Sequence, residues 1–184
     1  MRDKIWVLGL KLFAIAAVAG LALGATNALT EGPIHEQEIV AADAARREVL
    51  PGADSFTELT ATGGLSEAYA RYDANGKLVG KTGKVVTKGY GGEVEVTVGV
   101  DQNGAITGVF VGGSKFAETA GLGARTKEAW FGEQFIGKLS PVSLKKDGGE
   151  IDAVTSATIS SRAVTKAVDL AASQLTALSA PTEG

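Results

Sequence analysis

The chain of 184 residues contains no cysteine, a single histidine and only four prolines. The absence of Cys excludes disulfides, a cysteine nucleophile and an iron–sulfur cluster held by thiolates. One His is too few for most zinc sites, and the sequence predicts no metal site. Any redox chemistry in this protein therefore requires a cofactor that other side chains hold.

A strong excess of charge of either sign is also lacking. The 18 basic and 21 acidic residues give a net charge of -3. The sequence has no run of basic residues that would bind a phosphate backbone, so we expect no nucleic-acid partner. Hydrophobic residues make up 45% of the chain and charged residues 21%, which excludes an intrinsically disordered chain. The length allows one domain of ordinary size with a short appendage.

The amino-terminal segment 12–30 has no charged residue, and Lys11 alone interrupts the apolar stretch that begins at Ile5. This length suits a membrane-spanning helix, which needs about 20 apolar residues. Basic residues precede the span and acidic residues follow it, namely Arg2, Lys4 and Lys11, then Glu31, Glu36 and Glu38. The positive-inside rule therefore predicts a single pass through the cytoplasmic (inner) membrane, a cytoplasmic amino terminus and an extracytoplasmic main domain.

A cleaved signal peptide is the alternative interpretation of this segment. Residues 12–23 are adequate as its apolar region, and the small residues Gly24 and Ala25 are suitable for cleavage. Both interpretations place most of the chain outside the cytoplasm.

Hydrophobic periodicity after the span predicts an α+β domain. We expect helices over 35–50, 126–135 and 160–178, and strands over 68–73, 77–86, 93–98, 106–111 and 142–144. Asn75-Gly76 and Asn103-Gly104 are typical of hairpin turns, so the sheet should be antiparallel. The predicted organisation is a cytoplasmic start and span (1–30), a juxtamembrane helix (31–54), a main domain (55–180) and a tail (181–184).

The segment Asp152-Ala153-Val154-Thr155-Ser156-Ala157-Thr158 leads from a polar loop into the last predicted helix. Hydroxyls and a carboxylate at a helix start usually cap the free N–H groups of the first turn. The order of these residues, however, resembles the flavinylation motif Asp-x-x-Ser/Thr-Gly-Ala-Thr of the FMN-binding domain family. In that family the final Thr carries FMN through a phosphoester bond, and this position is Thr158 here.

Further segments match the same family in the same order: Gly89-Tyr90-Gly91-Gly92, Glu118-Thr119-Ala120-Gly121-Leu122-Gly123 and Phe135-Ile136-Gly137-Lys138. With one amino-terminal span and this length, the chain from about residue 4 to 178 resembles the G-subunit family of Rnf complexes. It departs from the family pattern at Ala120, where Pro is usual, and at Ser156, where Gly is usual.

This resemblance implies the fold and the function. The fold would be a single transmembrane helix followed by an FMN-binding domain (55–180) with an antiparallel sheet and flanking helices. The protein would be an electron-transfer subunit with covalent FMN in a membrane ferredoxin:NAD oxidoreductase that couples electron flow to ion translocation. Its partners would be the other Rnf subunits, membrane lipid and a flavin transferase that uses FAD. It would be an enzyme only as part of this translocase, without substrate turnover of its own.

The resemblance also implies a set of cofactor-binding residues. Thr158 would bear the FMN, Asp152 would be important for the modification, and Thr155 and Ser156 would donate hydrogen bonds beside Ala157. The loop with Glu118, Thr119, Leu122 and Gly123 would lie against the isoalloxazine ring, with Leu122 as an apolar face and Thr119 at the ring edge. Without the family, Glu118 is interpreted as a solvated charge and Leu122 as a core anchor.

Two alternative functions are consistent with the same residues. The first is the related C subunit of the sodium-pumping NADH:quinone oxidoreductase, which has the same domain and linkage but is usually longer. The second is a membrane-tethered binding or sensory domain whose motif stays unmodified. A flavin on Thr158 separates the second alternative from an electron carrier.

Overall fold

A computed structural model of the chain describes residues 2–52 and 55–179. The helices are α1 (Arg2–Val49), α2 (Ala129–Glu133) and α3 (Thr158–Ala177). The strands are β1 (Ser55–Glu58), β2 (Glu67–Tyr72), β3 (Leu78–Lys88), β4 (Glu93–Asp101) and β5 (Ile106–Gly112). Two 3-10 helices, Gly123–Lys127 and Lys145–Asp147, lie in the connections. The predicted tail (181–184) falls outside the described residues.

The chain divides into two compact units, Met1–Ala41 and Ala42–Gly184. Most of α1 lies in the first unit, and the helix is long enough to cross a membrane and contains an 18-residue stretch with a mean hydropathy of 2.2. Its large apolar side chains are exposed, including Leu12 and Phe13, as expected for a helix that contacts lipid. The hydroxyls of Thr26 and Thr30 donate to the carbonyls of Ala22 (2.9 Å) and Thr26 (3.0 Å), which satisfies these polar groups within the helix.

The sequence separates the span from a juxtamembrane helix, but α1 is one continuous helix through Gly32 and Pro33. Proline removes a single backbone donor, and the helix continues on both sides of it. The predicted end of this helix near Pro51-Gly52 is confirmed, because α1 stops at Val49 and Gly52 has a φ of 83°.

The sheet is antiparallel with the strand order β1-β2-β3-β4-β5, so each strand pairs with its neighbour in sequence. The two predicted hairpins are confirmed: Gly76 and Gly104 have φ values of 74° and 84°. Asp73 N–H donates to Lys77 O (2.9 Å) and Asp101 N–H to Ala105 O (2.9 Å), which closes both turns. The α+β fold with an antiparallel sheet is therefore the observed one.

One face of the sheet packs against α3 and forms the core. The alternate residues Val94, Val96, Val98 and Val100 of β4 are buried on this face, as the alternation of that segment predicts. They share one hydrophobic cluster with Val164, Val168, Ala171 and Leu175 of α3. The core thus fixes the long axis of α3, whose first residue is Thr158.

The other face carries a glycine trough, formed by Gly99 of β4 and Gly108 of β5. A Cβ at Gly99 would lie 2.4 Å from Val49 O, and one at Gly108 would lie 2.7 Å from Val49 Cα. Glycine at both positions therefore lets the end of α1 approach the sheet backbone. Thr107 Oγ1 donates to Val49 O at 2.6 Å, and Val49 and Leu50 are buried.

Two element predictions need correction, and one strand was missed. The segment 126–135 is a 3-10 helix followed by the five-residue α2, since Glu128 between them is extended (φ -67°, ψ 140°). The segment 142–144 is an isolated parallel bridge between Leu144 and Ile151. Strand β1 was not predicted, because its four residues carry too little alternation to be recognised.

Candidate functional site

Thr158 is the first residue of α3, and its hydroxyl is free of any capping role. The N-cap is Ala157 (φ -127°, ψ 42°), and no side chain caps the helix. The motif hydroxyls therefore do not act as the caps that are usual at such a position. Thr158 is half-buried, and its Oγ1 accepts a hydrogen bond from Lys146 Nζ at 3.4 Å.

A cavity of about 400 Å³ opens beside this hydroxyl. Three segments enclose it: the turn after β3, the loop 118–123 and the start of α3. The predicted site residues in its wall are Glu118, Thr119, Leu122, Gly123, Ser156, Ala157 and Thr158. Asp152 and Thr155 lie outside the wall. The structure thus brings together two motifs that are separated by about 35 residues in the sequence.

The exposed lining of the cavity contains three large apolar side chains beside the polar Thr119 and Ser156. Leu122, Ile159 and Tyr90 are 40%, 56% and 71% exposed, and all three line the cavity. Leu122 is therefore not a core anchor, contrary to its default interpretation. Ile159 was missed by the sequence analysis, and Tyr90 was noted only as part of a turn. Exposed apolar side chains around a cavity suit a flat, largely apolar ligand.

Side chains outside the cavity hold the motif loop in place. Asp152 N–H donates to Gln134 Oε1 (2.7 Å), and Gln134 Nε2 donates to Asp152 O (3.3 Å). Ser161 Oγ accepts from Val154 N–H (2.9 Å) and donates to Ala157 O (3.0 Å). The main chain of the motif is thereby fixed before and after Thr155.

The 3-10 helix Lys145–Asp147 presents two ammonium groups to the motif. Arg162 of α3 anchors it, because Nε and Nη2 donate to the two carboxylate oxygens of Asp147 at 2.7 and 2.8 Å. The hydrogen bonds and charge of Arg162 lower the pKa of the Asp147 carboxyl. Lys145 Nζ then lies 2.7 Å from Asp152 Oδ2, and Lys146 reaches Thr158. The two adjacent lysines just before the motif were the available sequence signal for these cations.

Glu118 is buried, with 9% of its surface exposed, so its interpretation as a solvated charge is wrong. Its Oε1 accepts from the backbone N–H groups of Tyr90 (2.6 Å) and Gly91 (3.1 Å). Its Oε2 accepts from Ser160 Oγ at 2.7 Å. One carboxylate therefore joins all three segments that enclose the cavity. No sequence pattern indicates these partners, which lie 28 and 42 residues away.

The residues of this site suit FMN. A phosphoester requires an accessible hydroxyl, which Thr158 offers. The first turn of α3 has N–H groups that no side chain caps, and the positive end of the helix dipole favours a phosphate charge. Lys146 forms no ion pair within residues 2–52 and 55–179, so its charge is available to such a phosphate.

A second cavity of about 500 Å³ lies beside β5 and α2. Val109, Glu133 and Ile136 are among the residues that line it. It contains none of the predicted site residues, so the smaller cavity is the candidate site.

Comparisons with known proteins identify the family of this chain. A profile of the family described as "FMN-binding domain" matches residues 89–173, which include the loop 118–123 and the motif. The G subunit of the Na(+)-translocating ferredoxin:NAD(+) oxidoreductase complex of Acetobacterium woodii is 38% identical, covering 90% of this chain and 89% of that one. The G subunit of the proton-translocating ferredoxin:NAD(+) oxidoreductase complex of Clostridium ljungdahlii is 28% identical, covering 95% and 94%.

Another relative is the G subunit of the ion-translocating oxidoreductase complex of Stutzerimonas stutzeri, 33% identical over 91% of this chain and 79% of that one. Among solved structures, the C subunit of the Na(+)-translocating NADH-quinone reductase of Parabacteroides distasonis matches with a TM-score of 0.51 and 21% identity. This match covers 62% of this chain and 64% of the other, and it shows a shared fold.

Proposed function

The chain belongs to the G-subunit family of Rnf-type ion-translocating oxidoreductases, and on this premise we propose that it is a membrane-bound electron carrier with FMN on Thr158. The observation that supports this proposal most directly is the position of the Thr158 hydroxyl. It caps no N–H group at the start of α3, and it lies in the wall of the cavity. The family profile and the names of the relatives support FMN and an oxidoreductase complex. The covalent linkage is our proposal.

The proposed linkage forms at the hydroxyl oxygen of Thr158. In the attachment step, Oγ1 bonds to the FMN phosphorus of FAD, the pyrophosphate bond breaks and AMP leaves. The hydroxyl proton passes to a base of the flavin transferase, because a threonine hydroxyl is a weak nucleophile without activation. Lys146 and the uncapped N–H groups at the start of α3 would stabilise the single negative charge that remains on the phosphate.

The rest of the cavity would orient the cofactor. FMN supplies redox chemistry that no side chain of this cysteine-free chain offers. Leu122, Ile159 and Tyr90 would exclude water from one side of the ring, and the Thr119 hydroxyl would meet its polar edge. The chain itself turns over no substrate in this proposal and passes electrons to neighbouring subunits.

The amino-terminal helix would hold the protein in the membrane. The exposed apolar side chains of α1 would contact lipid and the helices of other subunits. By the positive-inside rule, its amino terminus would be cytoplasmic and the FMN-binding domain extracytoplasmic. Relatives named for sodium and for proton translocation both match the chain, and the proposal covers electron transfer without assigning the ion.

Covalent flavin on Thr158 can be tested directly. The full-length protein is co-expressed with a flavin transferase, denatured, and examined in the gel for flavin fluorescence. We expect a fluorescent band in the wild type, its loss in Thr158→Ala, and its retention in Ser173→Ala, which removes an exposed hydroxyl of α3 outside the motif and the cavity. A wild type without fluorescence, beside an active transferase control, would leave the unmodified binding domain as the better function.

A further inference from the structure

The Glu118 carboxylate accepts hydrogen bonds from neutral groups only. Its three partners are two backbone N–H groups and one hydroxyl, all neutral. Among the ion pairs of the residues that the structure describes, none includes Glu118. The side chain nevertheless lines the same cavity as Thr158. A negative charge therefore stands in the wall without a cation beside it.

Two glycines make room for this carboxylate. A Cβ at Gly89 would lie 2.0 Å from Glu118 Oε1, and one at Gly123 would lie 2.0 Å from Oε2. Side chains at either position would displace the carboxylate. The site is thus built around a charged group in one position, with a donor to each of its oxygens.

We propose that Glu118 holds the reduction potential of the flavin low by placing this unpaired carboxylate in the cavity wall. The inference rests on the proposed function, because it requires FMN on Thr158. Reduction adds negative charge to the isoalloxazine ring, and a nearby fixed negative charge opposes it. Since the carboxylate is buried, little solvent and salt are available to screen it. The same side chain also acts as a positioning residue, because it joins the three segments of the wall.

The charge and the hydrogen bonds of Glu118 can be separated with two variants. In Glu118→Gln, the amide oxygen still accepts from the Tyr90 and Gly91 N–H groups and the charge is lost. The amide nitrogen donates to Ser160 Oγ, which donates to Glu118 Oε2 in the wild type, so this hydrogen bond is kept with its direction reversed. In Glu118→Ala, both the charge and the three hydrogen bonds are lost. Glu58→Gln is the matched control, since it removes an exposed carboxylate on β1, the edge strand of the sheet.

The experiment uses full-length, flavinylated protein. Anaerobic spectroelectrochemical titration measures the flavin midpoint potential, and it reports only the fraction that carries flavin. We expect Glu118→Gln to shift the potential to a more positive value at both low and high salt, and Glu58→Gln to match the wild type. Hydrogen exchange should show that the Tyr90 and Gly91 amides stay protected in Glu118→Gln and become unprotected in Glu118→Ala.

The outcomes distinguish this inference from the proposed function. A flavinylated Glu118→Gln protein with protected amides and the wild-type potential would overturn the role of the charge while leaving the function intact. A wild type without flavin on Thr158 would overturn the proposed function and the inference together. Unprotected Tyr90 and Gly91 amides in the wild type would refute the positioning role.

Discussion

Ser156 is the one residue other than glycine with positive φ in residues 2–52 and 55–179, at 63°. Its side chain is exposed and lines the mouth of the cavity. A left-handed conformation costs a residue with a Cβ about 1 kcal/mol relative to glycine, and the motif usually has Gly at this position. Ser in place of the usual Gly therefore introduces local backbone strain at position 156.

We expect Ser156→Gly to stabilise the protein by somewhat less than about 1 kcal/mol, because the more flexible unfolded chain offsets part of the relieved strain. For a domain of this size the melting temperature should rise by about 2–3 °C. Ser156→Ala is the control, since it keeps a Cβ and the strain. Thermal unfolding followed by circular dichroism would contradict the prediction if the Gly variant were no more stable than the Ala variant.

At the residue scale, the sequence is informative where a short motif carries the chemistry. Thr158 and Leu122 are predicted for the site, and both line one cavity. The resemblance predicts Glu118 for the site as well, but its burial depends on a turn and a helix that only the tertiary structure brings to it. The hydrogen bond from Lys146 to Thr158 depends on the position of the 3-10 helix Lys145–Asp147, and three residues are too few to show a periodic pattern in the sequence.

At the element scale, hairpins were predictable and short irregular segments were not. Asn-Gly turns and the alternation of β4 define β2 to β5, because both signals are local. The four-residue β1 depends on pairing with β2, with Ser55 opposite Tyr72. Short segments also carry too little periodicity to reveal a break, so one helix was predicted where the chain forms a 3-10 helix and α2.

A row of alternating charges attaches the end of α1 to the sheet. Arg46 of α1 binds Glu67 of β2, and Glu67 also binds Lys84 of β3. Lys84 lies 3.5 Å from Glu95 of β4, which extends the row by one strand. Burial raises the pKa of the Glu67 carboxyl, but hydrogen bonds and charge from Lys84 and Arg46 outweigh it and hold the pKa below its usual value.

This row should make stability depend on pH. Because the pKa of Glu67 is lower in the folded state, its stabilising effect is present above the unfolded value of about 4.5. That effect is lost as the pH falls through the lower folded value. We expect the free energy of unfolding of Glu67→Gln to be about 1 kcal/mol lower than that of the wild type near pH 7. This difference should become smaller below about pH 4.

Urea unfolding at several pH values measures this difference. Glu150→Gln is the matched control, since Glu150 pairs with Lys138 at a largely exposed site and should contribute little. A difference for Glu67→Gln that stays constant from pH 7 to pH 3 would contradict the assignment of the effect to this carboxyl.

At the scale of the whole molecule, the boundary between the two compact units lies at Ala41 and Ala42. The last turns of α1 belong to the second unit, where Ala45, Val49 and Leu50 are buried. The sequence predicts a domain that begins at residue 55, because the helical pattern up to Leu50 looks continuous with the juxtamembrane segment. Burial against a glycine trough cannot be recognised from periodicity.

Two truncations compare these boundaries. We expect the chain 42–184 to be soluble and to unfold cooperatively, because it keeps the core and loses the exposed apolar part of α1. The chain 55–184 should be about 3–6 kcal/mol less stable, since it no longer buries the side chains of Val49 and Leu50. Urea unfolding of both measures the difference, and equal stability would support the boundary at residue 55.

The packing of Glu118 between Gly89 and Gly123 implies epistasis among these three positions. A methyl group at residue 123 would lie 2.0 Å from Glu118 Oε2 and 2.6 Å from Ser160 Oγ. The same substitution is therefore more harmful with Glu118 than in a background with a smaller residue at position 118. Scans of single substitutions would therefore assign each glycine a fixed importance, although part of that importance depends on the residue at position 118. In evolution, the three codons are expected to change together or to stay unchanged.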